Sequence, residues 1–256
     1  MITILPDETF LRWFDALEER HLADLTFSEV RRGVEALSAT WVEGRRTRLA
    51  SALAGAGKRA AFALFYAPLH YLLIQAILEA SGAATHRVGT ILDLGCGTGV
   101  AGAAWALEAQ GHPRVTGIEP NGWAAEEARW TWRTLGIHGT VRRTDIGRVR
   151  LPGCAAGIVV AFTANELEET ARARLRDNLI AAAGRGAQVL VVEPIARKLV
   201  PWWKDWATRF EAVGGQAMEW RFRPNLPERL RLMDRAAGLD HRFLTGRSLW
   251  LKRSGG

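Results

Sequence analysis

Through the first 85 residues, apolar side chains recur at the three-and-four spacing of helices, beginning with the stripe Phe10, Trp13, Phe14 and Leu17. Leu22 to Thr40 and Arg46 to Leu53 continue the pattern, and no strand-like alternation interrupts it. Arg59 to Leu78 is almost entirely apolar with Pro68 in its middle. Proline lacks an N–H and crowds the preceding turn, so one helix should end and another begin near Ala67. Residues 1–85 therefore read as a helical cap. Gly82 to Gly89 is a polar connection, and a second domain, 86–256, has its core from Thr90 onward.

From Thr90 the period changes. Short apolar runs alternate with helical stretches: strands at Val115–Glu119, Gly139–Arg143, Ala156–Thr163 and Ala187–Glu193, and helices at Gly122–Leu135 and Glu166–Ala183. Asn121 suits an N-cap and Gly136 a C-terminal stop. Near the end, Pro201–Val213 reads as a helix carrying Trp202, Trp203, Trp206 and Phe210. Gln216–Phe222 reads as a strand, Leu226–Ala237 as a helix, and Leu239–Arg253 as a hairpin turning at Thr245-Gly246. The three tryptophans either bury one side of their helix against the sheet or stack nucleobases.

The chemistry concentrates where the first core strand breaks. Ile91-Leu-Asp-Leu-Gly-Cys-Gly-Thr-Gly-Val-Ala-Gly102 leads from a strand through Gly95, Gly97 and Gly99 into an alanine-rich helix. Such a loop lets a ligand lie against backbone amides, and the helix N-terminus favours negative charge there. Read from Gly97 the pattern is G-x-G-x-x-G, with Glu119 about 20 positions on to hold ribose hydroxyls, as in dinucleotide sites. Read from Asp93 it is D-x-G-x-G-x-G. In that reading the chain resembles the class I S-adenosylmethionine (SAM) methyltransferases, and Asp93 supplies a carboxylate for the ammonium group that SAM has and NAD lacks.

That resemblance implies an α/β fold: a Rossmann-like, doubly wound, mostly parallel sheet closed by an antiparallel C-terminal strand. It also implies roles at successive strand ends. Glu119 accepts from the ribose diol, Asp145 from the adenine amino group, and Ile146 covers the ring, while Cys96, Pro120 and Thr163 complete the expected cofactor pocket. Methyl transfer asks mainly for alignment and removal of a proton. The acceptor site is expected past the fourth core strand, with Asn165 and Glu166 as its catalytic candidates. Asn165 equally suits an N-cap for the next helix. Tyr66 and His70, flanking Pro68, are candidates for the substrate or else core residues with one satisfied polar tip. The Asn/Asp-Pro-Pro-aromatic string of many base amino-methylases is absent, and Cys154 precedes the strand, which excludes cytosine C5 chemistry.

Two cysteines give neither a metal-ligand spacing nor a disulfide framework. No apolar run is expected to span a bilayer, and the N-terminus lacks the features of a signal peptide, so a cytoplasmic protein is expected. The net charge is +7, and from Arg197 onward 13 Lys/Arg face 6 Asp/Glu, so the last 60 residues carry the whole excess. Such an excess fits a polyanionic partner or a solvated basic face.

A narrower resemblance runs through Ala36-Leu-Ser-Ala-Thr-Trp-Val-Glu-Gly-Arg45, Arg59-Ala-Ala-Phe, Ala67-Pro68, Val160-Ala-Phe-Thr-Ala-Asn-Glu-Leu167, Val191-Val-Glu-Pro194 and Leu226-Pro-Glu-Arg229. These strings are similar to the methyltransferase-like family associated with the small ribosomal subunit. That family typically carries cysteines for an iron–sulfur cluster after the Val-Glu-Pro strand, whereas no cysteine follows Cys154 here, which excludes a cluster. The resemblance implies methylation of small-subunit RNA. A small-molecule methyltransferase whose cap closes over the acceptor, and a non-catalytic SAM-binding assembly factor, are the alternatives.

Overall fold

The computed structural model describes residues 2–42, 53–83, 87–153, 156–196 and 199–252. The helical pattern expected over 46–52 and Cys154 lie outside them. The chain divides into two units, one of residues 1–73 and 221–244, the other of 74–220 and 245–256. The boundary expected from the sequence lies at 85/86; the helix running through residue 73 is continuous, and residues 221–244 belong to the first unit.

In the first unit, α1 (Glu8–His21) starts where the Asp7 carboxylate accepts the Phe10 N–H at 2.7 Å. It buries Phe10, Trp13, Phe14 and Leu17, and Tyr71 lies 5.4 and 5.6 Å from the Phe10 and Trp13 rings. The next helix, α2 (Phe27–Val42), begins later than the periodicity suggests. Thr26 and Glu29 form a reciprocal cap, Glu29 accepting the Thr26 N–H at 2.8 Å, and this fixes the start. Gly33 lets α2 approach α3 (Ala56–Ala61), since a Cβ there would stand 2.3 Å from the Gly57 carbonyl oxygen.

Pro68 does not break the helix. A π-helical turn, Phe62–Tyr66, joins α3 to α4 (Ala67–Ala80), with the Ala67 N–H donating to Phe62 O. The wider turn absorbs the missing donor and the ring clash that a proline otherwise imposes. The resulting helix, Ala56–Ala80, is long and apolar enough to cross a membrane, contrary to expectation, but its most apolar stretch is 94% buried within the protein.

Two further departures concern strands. β1 (Thr3–Ile4) interrupts the expected all-helical start and pairs in parallel with Arg223 and Pro224. The expected terminal hairpin is instead one strand, β8 (Leu244–Lys252), because Gly246 takes none of the positive φ that a tight turn requires. The remaining elements of this unit include α9 (Glu228–Ala236), whose Arg229 pairs with Glu18 at 3.3 Å.

In the second unit the strands are β2 (Thr90–Leu94), β3 (Arg114–Ile118), β4 (Gly139–Arg142), β5 (Ala156–Ala161) and β6 (Gln188–Glu193). With β7 (Gln216–Pro224) and β8 they run in the order β7-β8-β6-β5-β2-β3-β4. β4, β3, β2, β5 and β6 are mutually parallel, and β8 joins β6 antiparallel with Glu193 opposite Arg247. This is the expected mixed, mostly parallel sheet.

β5 and β6 are buried on both faces, which is why their sequences are continuous apolar runs rather than alternating ones. One face receives α5 (Val100–Glu108), whose Trp105 lies so close to β5 that a Cβ at Gly157 would stand 3.0 Å from the indole. Helices α6 (Gly122–Thr134), α7 (Glu169–Gly184) and α8 (Trp203–Glu211) complete the layers. On α8, Trp203, Trp206 and Phe210 pack into the cluster of Val189, Val191, Leu249 and Leu251, so these rings belong to the core and do not stack bases.

Candidate active site

The strand order reverses at β2, with β3 on one side and β5 on the other. In open α/β sheets the crevice outside the carboxyl ends of the strands at such a switch point is where ligands bind. Every loop discussed next leaves a strand at that edge.

The turn after Leu94 holds three left-handed glycines: Gly95 (φ +69°), Gly97 (φ +51°) and Gly99 (φ +83°). Only glycine takes these values without steric cost. The turn is then wired to the next strand, because the Gly95 and Cys96 N–H groups both donate to Ile118 O (2.8 and 3.2 Å). Glu119, 4% exposed at the end of β3, accepts the Gly97 N–H at 3.1 Å on one oxygen and the Asn121 N–H at 2.8 Å on the other. Burial raises its pKa, and those two N–H groups pull it back toward ionisation. Glu119 thus shapes the loop and still has lone pairs for a diol.

Asp93 is 1% exposed, and its Oδ2 accepts the Gly102 N–H at 2.8 Å. Burial, with a further push from the Glu119 charge, lifts its pKa to about 7, against the pull of the Gly102 bond. Gly102 itself is required by closeness, since a Cβ there would meet Val115 Cγ1 at 2.8 Å and Asp93 Oδ2 at 2.9 Å. The aspartate was expected to receive an ammonium group. The geometry gives it a structural task as well, seating the first turn of α5 on the end of β2.

Sequence reasoning missed Trp132, on which the loop rests. Its indole on α6 donates from Nε1 to Gly99 O at 2.8 Å, and it fills the space left by three glycines. A Cβ at Gly99, Gly117 or Gly139 would stand within 2.8, 2.8 or 2.2 Å of that ring. The signal was present as glycines inside two strands, which mark a close approach. Cys96 lies over the same Gly117, buried, with its thiol pushed up by desolvation and by Asp93 and Glu119. It is a small side chain that fits the loop. The buried Thr98 hydroxyl has no partner among the described residues.

β5 ends in a second loop facing the first. Phe162 takes φ +56°, a conformation costly for a bulky residue and found mostly where a site requires it. Thr163 follows, its Oγ1 3.1 Å from Gly95 O and 3.0 Å from Ala161 O, and a Cβ on Gly95 would stand 2.3 Å from its methyl carbon. Asn165 and Glu166 lie in a 3₁₀ turn, Ala164–Glu166, rather than at the start of a helix. Because α7 begins at Glu169 with Glu168 as its N-cap, Asn165 is not a cap.

What holds that turn is Glu193, a second residue the sequence reading passed over. It is wholly buried at the end of β6 and accepts the Asn165 N–H at 3.3 Å, and also the Ala164 N–H. Desolvation pushes its pKa up to about 8, with Glu166 adding to the rise and Arg172 opposing it. The acid at a strand end that singled out Glu119 was repeated here.

Asp145 is exposed and accepts the Gly147 N–H at 2.7 Å, opening a 3₁₀ turn that contains the half-buried Ile146. Pro120 is exposed beside Glu119. Tyr66 and His70 lie in the first unit. The buried Tyr66 hydroxyl sits 3.4 Å from Val34 O and its pKa is raised by desolvation, while desolvation and His241 hold His70 at about 3, hence neutral. Among the described residues no group of His, Cys, Asp and Glu is arranged to hold a metal ion.

Residues 91–186 match the family model described as "Methyltransferase domain". No curated protein matches the chain. Among solved structures, a provisionally assigned O-methyltransferase from Nostoc punctiforme is similar with a TM-score of 0.54 and 13% identity, over 91% of this chain and 72% of that one. The N-methyltransferase NodS of Bradyrhizobium japonicum, solved with S-adenosyl-L-homocysteine, gives 0.48 and 17%, over 70% and 86% of the two chains. At such identities the likeness is one of fold, and the first structure carries it. Residues 91–186 are thus similar to the methyltransferase-domain family, and the sheet around them has the fold of the first of these structures.

Proposed function

We propose that this SAM-dependent methyltransferase methylates RNA of the small ribosomal subunit, in the cytoplasm. The donor half rests on the crevice. A loop of left-handed glycines, a buried acid at the end of the adjacent strand and an unpartnered Thr98 hydroxyl fit a ligand that brings its own donors and acceptors. Gly95, Gly97, Gly99 and Glu119 would hold the nucleoside and amino acid portions, Asp145 and Ile146 the base, with Thr163 at the loop's other wall. When bound, SAM supplies an electrophilic methyl group, so the chain need only orient the acceptor and take up a proton.

Asn165 and Glu166 would do that work. Glu193 holds the backbone of their turn through the Asn165 and Ala164 N–H groups, and Glu166 is exposed. The observation that carries the RNA reading is the excess of 13 Lys/Arg over 6 Asp/Glu in the last 60 residues, together with the similarity to the ribosome-associated family. Transfer of tritiated methyl from SAM to extracted small-subunit RNA, with a metabolite pool as the competing acceptor, tests it. Label in RNA supports the reading, and label only among small molecules moves the function to the first alternative. Calorimetric titration with SAM and with NADH tests the donor separately.

A further inference from the structure

We propose that the outward face of the sheet edge in the first unit, formed by Arg221, Arg223, Phe243 and Leu5, is a docking platform for single-stranded RNA. The alternation of the strands makes the face. On β7 Phe222 is 1% exposed and on β1 Ile4 is 7% exposed, so these point inward, while Arg221 and Arg223 are exposed and alternate with Phe222. Thr3 pairs with Arg223, which puts Thr3 and Leu5, the latter 69% exposed, on the same outward side. Phe243, just before β8, underlies the arginines: the Arg221 guanidinium carbon stands 3.9 Å from its ring centroid and that of Arg223 5.9 Å.

The stack determines what the face can take. With one side of the Arg221 guanidinium on Phe243, its other side is a flat cationic surface of the kind on which nucleobases stack, and the N–H groups at its rim suit phosphate oxygens. Neither arginine makes an ion pair with an acid among the described residues. The nearby acids are engaged elsewhere: Glu219 with Arg247 at 3.2 Å, Asp240 with Arg242 at 2.7 Å, and Asp234 with His241. Residues 221–244 hold six arginines against three acids, so the charge complements a polyanion. The exposed Leu5 and the half-buried Phe243 add apolar surface, which favours unstacked bases over a duplex backbone alone.

The proposal rests on the RNA reading and deepens it. An unstructured fluorescein-labelled oligoribonucleotide is titrated by anisotropy against the full chain over a KCl series, for wild type, R221Q/R223Q, and R231Q/R235Q on α9 as a charge-matched control. Removing two phosphate contacts should flatten the slope of log affinity against log salt by about 1.4 and weaken binding roughly tenfold at low salt. The control should change either quantity far less, with SAM affinity equal in all three. If wild type binds but R221Q/R223Q binds as tightly, or the control loses as much, the platform is refuted and the RNA reading stands. If wild type binds no RNA, the RNA reading falls and the platform with it.

Discussion

Replacing Glu193 by glutamine should stabilise the protein above neutral pH, and the size of the effect follows from burial. The carboxyl group is wholly buried, and its native pKa is pushed up to about 8 against an ordinary 4.5. Between those values the native state holds a proton that the unfolded state has released, so stability falls as pH rises through the window. Below 4.5 both states are protonated and nothing is lost, and above about 8 the whole penalty is present. At pH 7 the interval of about 2.5 units corresponds to about 3 kcal/mol, a large share of the stability of a typical domain.

Glutamine keeps an oxygen for the Asn165 and Ala164 N–H groups and cannot ionise. Urea unfolding of wild type and E193Q from pH 4 to pH 9 therefore should give curves that coincide near pH 4 and diverge by about 3 kcal/mol at pH 7. Asp93, raised to about 7, adds a slope of the same sign to both proteins and cancels in the difference. Parallel curves would show that Glu193 titrates as a solvated acid, and the account of the acceptor turn would fail with it.

Three further expectations follow from the loop. Gly95→Ala forces a Cβ to 2.3 Å from the Thr163 methyl carbon at φ +69°, and SAM affinity by calorimetry should fall at least about tenfold. Glu119→Ala releases the Gly97 and Asn121 N–H groups and removes the expected diol acceptor, so unchanged SAM affinity would contradict the assignment. Trp132→Phe removes the indole N–H from Gly99 O, which keeps only the Ala103 N–H, and leaves a gap against Gly117 and Gly139. Urea unfolding should show a loss of about 2 kcal/mol, and undiminished stability would mean that the indole does not support the loop.

Much of the architecture was written locally. The alternation of apolar runs and helical stretches after Thr90, the caps at Asp7 and Asn121, and the glycines of the 95–99 turn are each decided by neighbours a few residues away. The strand, turn and helix around Asp93 were legible for that reason. So was the burial of Trp203, Trp206 and Phe210, which share one side of a short helix.

What the sequence could not decide depends on groups distant along the chain. Pro68 stays inside a continuous helix because a π turn accommodates it, and Gly246 stays in a strand whose following residues, Arg247–Lys252, pair with β6. Glu193 became a site residue only when residues 28 positions apart met across the sheet edge, and Trp132 when three separated glycines made room for one ring. Local hydrogen-bonding and steric preferences determine elements, whereas burial and close approach are set by which elements end up side by side. The carboxyl groups of Asp93 and Glu193 took their chemical character from that placement, through desolvation that no stretch of sequence displays.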